Sequence, residues 1–288
     1  MNMFILYASE IASAPSLDLD FTGGSLPSGA SFARASTATY FDGSGVLRTA
    51  ANDAARFDYD PVALTLKGLL IEPQAINYLQ QSQAFATSPW NPDSSDGTPV
   101  ITQNYAPAPD GTTTATRLQC SASSYQGFEQ GIVSSGLGDS ETNTASFYVK
   151  SNTGVSQTAQ IKMTQYMVAD HFQSVTIPAT WTKVSDTALF GSGGNGFWTG
   201  FVTNGTELDI LIWGAQQEVA SKGTSYIPTT SAAATRAADA LSFTIPSGIG
   251  NLIYTFDDNS TQTVAVSAGA YTVPTNLNRA WIKRIASV

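Results

Sequence analysis

The stretch Leu208-Asp209-Ile210-Leu211-Ile212-Trp213 is apolar at every position after Asp209. A short run that is apolar on both faces reads as a central strand of a sheet buried from both sides. Upstream, Ala145 to Lys150 alternates: Ala145, Phe147 and Val149 fall on one face, and Ser146, Tyr148 and Lys150 on the other. That pattern predicts a sheet with one wet side. Gln160 to Met163 alternates likewise, and Leu17-Asp18-Leu19-Asp20-Phe21 does so before Gly23-Gly24 breaks the run into a turn. Helical periodicity is almost absent, and clusters of Gly, Pro, Asn and Asp punctuate the chain. The expected class is all-β.

Composition narrows the function. Of 288 residues, 42% are hydrophobic and only 12% charged, about half the charged share of an ordinary globular chain. Thr, Ser, Asn, Gln and Gly take their place, as on the weakly charged β surfaces of extracellular and virion proteins. Acidic residues outnumber basic ones by 22 to 13, and a net charge of -9 disfavours nucleic acid and anionic lipid as partners. A single cysteine, Cys120, excludes an intrachain disulfide framework and a cysteine-based zinc cluster, and reads as a buried thiol in a strand. The apolar stretch Met3 to Ala8 is too short for a signal-peptide core, and no run approaches a membrane span. Neither Sec export nor membrane insertion is expected, which suits a particle assembled in a host cytoplasm.

Three regions are expected. Residues 1–84 mix short strands with the Ala-rich piece Thr49 to Ala55 and end in Gly68-Leu69-Leu70-Ile71-Glu72-Pro73, a strand stopped by proline. Residues 85–240 open with a Pro- and Asp-Gly-rich, linker-like stretch, Pro89 to Gly111, and then supply most strands of a sandwich. Residues 241–288 restart the alternation at Leu241-Ser242-Phe243-Thr244-Ile245 as a small β module. No solenoid period is present.

Three groups of motifs resemble a family of bacteriophage head-spike and tail-fibre proteins that carry a jelly roll similar to carbohydrate-binding modules. The first is Phe32 to Tyr40, Asp42 to Leu47, Arg56-Phe57-Asp58 and Gly68 to Gln74, in that order. The second is Trp213 to Glu218, Ser225-Tyr226-Ile227-Pro228-Thr229 and Thr235-Arg236-Ala237-Ala238-Asp239. The third runs from Phe256-Asp257-Asp258 through Tyr271-Thr272-Val273-Pro274 to Ile282-Lys283-Arg284-Ile285. One departure stands out: the family commonly follows Glu-Pro with Arg-Thr before Asn, whereas this chain has Ala75-Ile76 before Asn77. The resemblance implies a jelly-roll β-sandwich between an N-terminal attachment region and the C-terminal module. It also implies a virion location, an assembly or adhesion role, a homotrimer and no known catalytic set, and it identifies no receptor. Contact with other virion proteins is expected through the N-terminal region, whose short strands and Ala-rich pieces build no large core of their own, and the expected ligand is host surface polysaccharide, bound weakly and multivalently.

Candidate chemistry is sparse. His171 is the only histidine, so any triad must pass through it and a multi-histidine metal site is excluded. In Asp170-His171-Phe172 it reads as a surface residue or a ligand contact rather than a base. Glycoside hydrolysis requires two opposed carboxylates, and spacing selects no pair among Glu129, Asp139, Glu141, Asp170, Asp186, Glu207 and Asp209. The acidic runs Asp93 to Asp96 and Asp257-Asp258-Asn259 read as turns. A structural calcium there is chemically conceivable but matches no EF-hand spacing, so no metal or cofactor is expected. Gly191-Ser192-Gly193-Gly194-Asn195-Gly196 lacks the Lys-Ser/Thr ending of a phosphate loop. After it come Phe197 and Trp198, whose adjacent rings must point to opposite faces of a strand, leaving one to stack on a sugar; packing of both against neighbouring loops or a neighbouring subunit is the equal alternative. Tyr166 and His171 complete the expected glycan-contacting set. Trp181 and Trp213 read as core or inter-sheet residues, and Trp90 as a pin for the linker. Two rival functions remain open: a polysaccharide depolymerase and a decoration protein without ligand.

Overall fold

The computed structural model describes residues 16–93, 97–122, 125–132, 140–165, 168–193 and 196–288, and within them all regular structure is β. The first part of the chain contributes β1 (Asp18–Asp20), β2 (Ser31–Ala33), β3 (Ala38–Phe41), β4 (Leu47–Ala50), β5 (Phe57–Tyr59), β6 (Leu66–Leu70) and β7 (Ala75–Asn77). The middle contributes β8 (Trp90–Asp93), β9 (Val100–Ala106), β10 (Ala115–Cys120), β11 (Gly127–Ile132), β12 (Thr142–Ser151), β13 (Gln157–Gln165), β14 (Ala169–Ile177), β15 (Thr182–Leu189), β16 (Phe197–Val202) and β17 (Leu208–Val219). The last part contributes β18 (Ala234–Arg236), β19 (Ala240–Ile245), β20 (Asn251–Phe256), β21 (Thr261–Ala265), β22 (Gly269–Thr272) and β23 (Trp281–Ser287).

The middle strands form an antiparallel jelly-roll sandwich of two five-stranded sheets. The first has the order β15-β12-β17-β10-β9 and the second β14-β13-β16-β11-β8. The apolar stretch at 208–213 is indeed the central strand, β17. Alternation places Leu118, Phe147, Val149, Ile210 and Ile212 of the first sheet against Phe128, Ile161, Met163 and Phe201 of the second, all fully buried. The stretch 89–111, read as a linker, instead supplies β8 and β9, each at a sheet edge. Pro92 is tolerated in β8 because an edge strand leaves one side unpaired. Trp90 is buried between Phe85 and Phe128, and Asp93 lies in a strand rather than a turn.

The two end regions are one unit, not two. A sheet of order β21-β20-β23-β6-β5, with β1 on β23, faces a three-stranded sheet, β2-β19-β22. Leu19, Phe21, Leu69, Phe243, Tyr254, Ile282 and Ile285 share its core. Residues 18–70 and 240–287 therefore complete each other. Alternation showed that each piece was half-buried, but not that β23 inserts between β20 and β6.

This unit covers the outer face of the sandwich's first sheet, so that face is not wet: Ser146 and Tyr148 are buried, and Tyr148 packs with Trp213, Tyr226 and Leu47. A buried charge network fastens the seam. Asp239 accepts from Arg34 at 3.2 Å, from Arg56 at 2.5 Å and from the Glu72 backbone N–H at 2.9 Å. Glu72 pairs with Arg56 at 2.8 Å and accepts from the Ser225 N–H and hydroxyl at 2.7 and 2.6 Å. Arg236, paired across the β7–β18 ladder with Ala75, donates to the Pro73 carbonyl and lies 3.6 Å from Glu72. The sequence motifs around residues 34, 56, 72, 225 and 236–239 thus meet in one place, and their role is to lock two β units together.

Candidate functional site

The second sheet's outer face is the candidate ligand surface. Cross-strand register sets two rows across it: Asn91, Glu129, Gly200, Lys162 and Phe172, then Gly131, Trp198, Thr164 and Asp170. Residues directly opposite in a ladder share a face, so these side chains project together. Phe172 is 36% exposed, and Tyr125, from the segment before β11, meets it edge to face at 5.7 Å.

Glycine shapes the surface. A Cβ on Gly131 would lie 3.0–3.1 Å from three carbons of the Trp198 six-membered ring, so the indole covers bare backbone. At Gly200 a Cβ would lie 2.9 Å from the Glu129 Cβ. Without that side chain, Lys162 reaches across to bond Glu129, and its ammonium also donates to Asp93 at 3.1 Å. The same ammonium sits 5.0 Å from the Tyr125 ring centroid. Burial raises the Glu129 carboxyl, opposed by the Lys162 bond. Burial likewise pushes the Tyr125 phenol up to about 12. The Trp198 indole N–H has no hydrogen-bond partner among the described residues. The face therefore offers three aromatic side chains, a free donor and a desolvated charge cluster, which suits apolar stacking with polar anchoring.

The expected residues divide. Trp198 is on this face and half-buried. Phe197 is not: at 1% exposure it packs against Phe190 in the sandwich core, 4.9 Å between ring centroids, and has no face to offer. His171 is also misplaced, because it lies opposite Met163 on the inward side of β14. Its Nε2 is 2.7 Å from Asp186 Oδ2 of the facing sheet, so the pair closes the sandwich edge. Tyr166 and Asp139 lie outside the described residues. Trp213 is core, whereas Trp181 is partly buried at the seam, where its indole donates to the Pro107 carbonyl. Cys120 is buried in β10, its thiol pushed up to about 12 by burial. Among the described residues no three His, Cys, Asp or Glu side chains group as a metal site.

Sequence reading missed Tyr125, Lys162, Phe172 and Gly131 as one constellation. Each is unremarkable alone, and only the register of β11, β16, β13 and β14 brings them together.

A scan against family models and a search of curated proteins find no match. Among solved structures, the enzymatically active domain of tailspike protein 4 from bacteriophage CBA120 is similar at 15% identity and a TM-score of 0.39, over 49% of this chain and 21% of that one. This chain thus spans about a fifth of that protein. A C-terminal family 22 carbohydrate-binding module of Clostridium thermocellum is similar at 13% identity and a TM-score of 0.40, over 51% of this chain and 97% of the module. A family 11 module of the same organism is similar at 12% identity and 0.37, over 52% and 98%.

Proposed function

We propose that this chain is a non-catalytic adhesive protein of a tailed-bacteriophage particle, binding host surface polysaccharide through the outer face of its second sheet. The observation that carries the binding half is Trp198 laid over Gly131, with Phe172, Tyr125 and the Lys162 cluster beside it. A pyranose presents C–H groups to aromatic faces and hydroxyls to amides and charges, and this surface has both kinds of partner. The virion half and the homotrimer are supported by the sequence motifs alone; attachment through the N-terminal region and assembly in the host cytoplasm are part of the same proposal.

The same cluster supports binding over hydrolysis. A glycosidase needs two carboxyl groups separated across the scissile bond by about 5 Å or more. Here Glu129 and Asp93 converge on one ammonium and lie within hydrogen-bonding reach of each other. The depolymerase reading nevertheless has a defined test, because Glu129 is a raised carboxyl beside a second acid.

The experiment is pull-down and titration with purified capsular and lipopolysaccharide fractions of the host. Trp198→Ala should weaken binding by roughly thirty-fold, the loss expected of an anchoring aromatic worth about 2 kcal/mol. Its melting temperature should barely change. Unaltered binding would remove this face from the proposal. Glycan shortening abolished by Glu129→Gln would establish the depolymerase instead, and no binding to any fraction would leave a decoration protein.

A further inference from the structure

The two units do not close fully along their seam. Between β3, β4, β5 and β6 on one side, and β12 with the turn before β15 on the other, lies a cavity of about 590 Å³. That volume is in the range of small-molecule sites. Its walls include Tyr59, Tyr148, Trp181 and Trp281. The two indoles are fixed at one edge: Trp281 donates to Asp58 at 2.7 Å and Trp181 to the Pro107 carbonyl at 3.2 Å.

Three of the chain's six lysines, Lys67, Lys150 and Lys183, line this cavity in a protein of net charge -9. None has a carboxylate within ion-pair distance among the described residues, where Lys162 alone of the lysines is so paired. Lys67 rests over the Trp281 ring, 3.0 Å from its centroid, and Lys183 donates to the Thr224 carbonyl at 2.5 Å. Burial lowers the pKa of both, against the pull of nearby acids. Of the cavity's two carboxylates, Glu72 is engaged by Arg56 and Ser225, and Asp58 accepts from the Phe41 N–H and the Trp281 indole. Desolvated ammonium groups without an anion are costly, and a bound anion would offset that cost.

We propose that this seam cavity is a second ligand site, separate from the sheet face, and that it takes a sugar bearing an anionic group. The anion meets the lysines while the ring's C–H faces lie on the aromatic walls. A neutral sugar would satisfy the rings and leave the ammonium groups as they are.

The test uses the full chain, tryptophan fluorescence and calorimetric titration. The probes are digalacturonate, its methyl ester and glucose 6-phosphate, which separate carboxylate from phosphate as the anionic group. At least one anionic sugar should bind saturably, at least ten-fold tighter than the ester, and more weakly as salt rises. Lys150→Met should weaken it about ten-fold, and Trp198→Ala should leave it unchanged. Should Lys150→Met not fold, Lys150→Gln carries the same comparison. Equal binding of acid and ester, no saturation by either anionic sugar at about 10 mM, or loss on Trp198→Ala would overturn the proposal. Equal binding of acid and ester, or no saturation, leaves polysaccharide binding by the sheet face untouched, whereas loss on Trp198→Ala would assign the anionic sugar to that face.

Discussion

A single missing methyl group decides where Trp198 lies. Because a Cβ at residue 131 would crowd the indole at 3.0–3.1 Å, Gly131→Val should lift the ring and abolish polysaccharide binding. Its φ is not in the left-handed region, so the cost in stability should stay within about 1 kcal/mol. Gly127→Ala should do the reverse. Its Cβ would meet the Phe201 carbonyl oxygen at 2.1 Å and the Val202 Cα at 2.8 Å. That backbone clash should destabilise by about 1–3 kcal/mol in urea unfolding. The opposite pointing of residues 197 and 198 was legible from their adjacency. Which ring faced outward was not, since that depends on the sheet packed beneath β16.

At the level of strands, β13 carries the one lysine that neutralises the exposed face. Lys162→Met would leave Glu129 and Asp93 together without their cation. Glu129 is already raised by burial, so the folded variant holds a proton that the unfolded chain releases. Stability from such a group is present at low pH and is lost as pH rises through the raised value. The variant's melting temperature should therefore fall as pH rises above the ordinary glutamate value of 4.5, while wild type changes less. A parallel fall in wild type would show that the ammonium does not govern this pair. Strands themselves were legible wherever alternation was clean, as in β12 and β17. Their partners were not, because pairing such as Lys150 with Leu211 joins residues that no local pattern connects. For the same reason the outer face of β12 was misread as wet: nothing in Ser146 or Tyr148 announces the unit that covers it.

Across the whole molecule, the seam network sets the acid limit. Burial alone would raise Glu72, but Arg56, Arg236 and the Ser225 bonds hold it at about 2, against an ordinary 4.5. A depressed carboxyl contributes stability above its unfolded value and loses it as pH falls through the folded one. Unfolding between pH 4.5 and about 2 should accordingly be steep in wild type and flatter in Glu72→Gln. Asp239→Ala removes the acceptor for two buried guanidinium groups and should cost about 3–5 kcal/mol. Deleting residues 1–84 should yield insoluble protein, because it strips partners from β19 and β23 and uncovers Tyr148 and Trp213. A soluble, cooperatively melting fragment would contradict the joined end unit.

The position of β23 also orders events during synthesis. It pairs with β1, β6 and β20, yet it is made after all of them. A nascent chain can complete its sandwich while β5–β6 and β20–β21 wait as separate hairpins, with Leu69 and Tyr254 not yet covered. Closing a loop of more than 200 residues between β6 and β23 is slow relative to local pairing. A chain that lacks Trp281 to Ser287 therefore presents one finished half and one half whose apolar edges β6 and β20 stay unpaired.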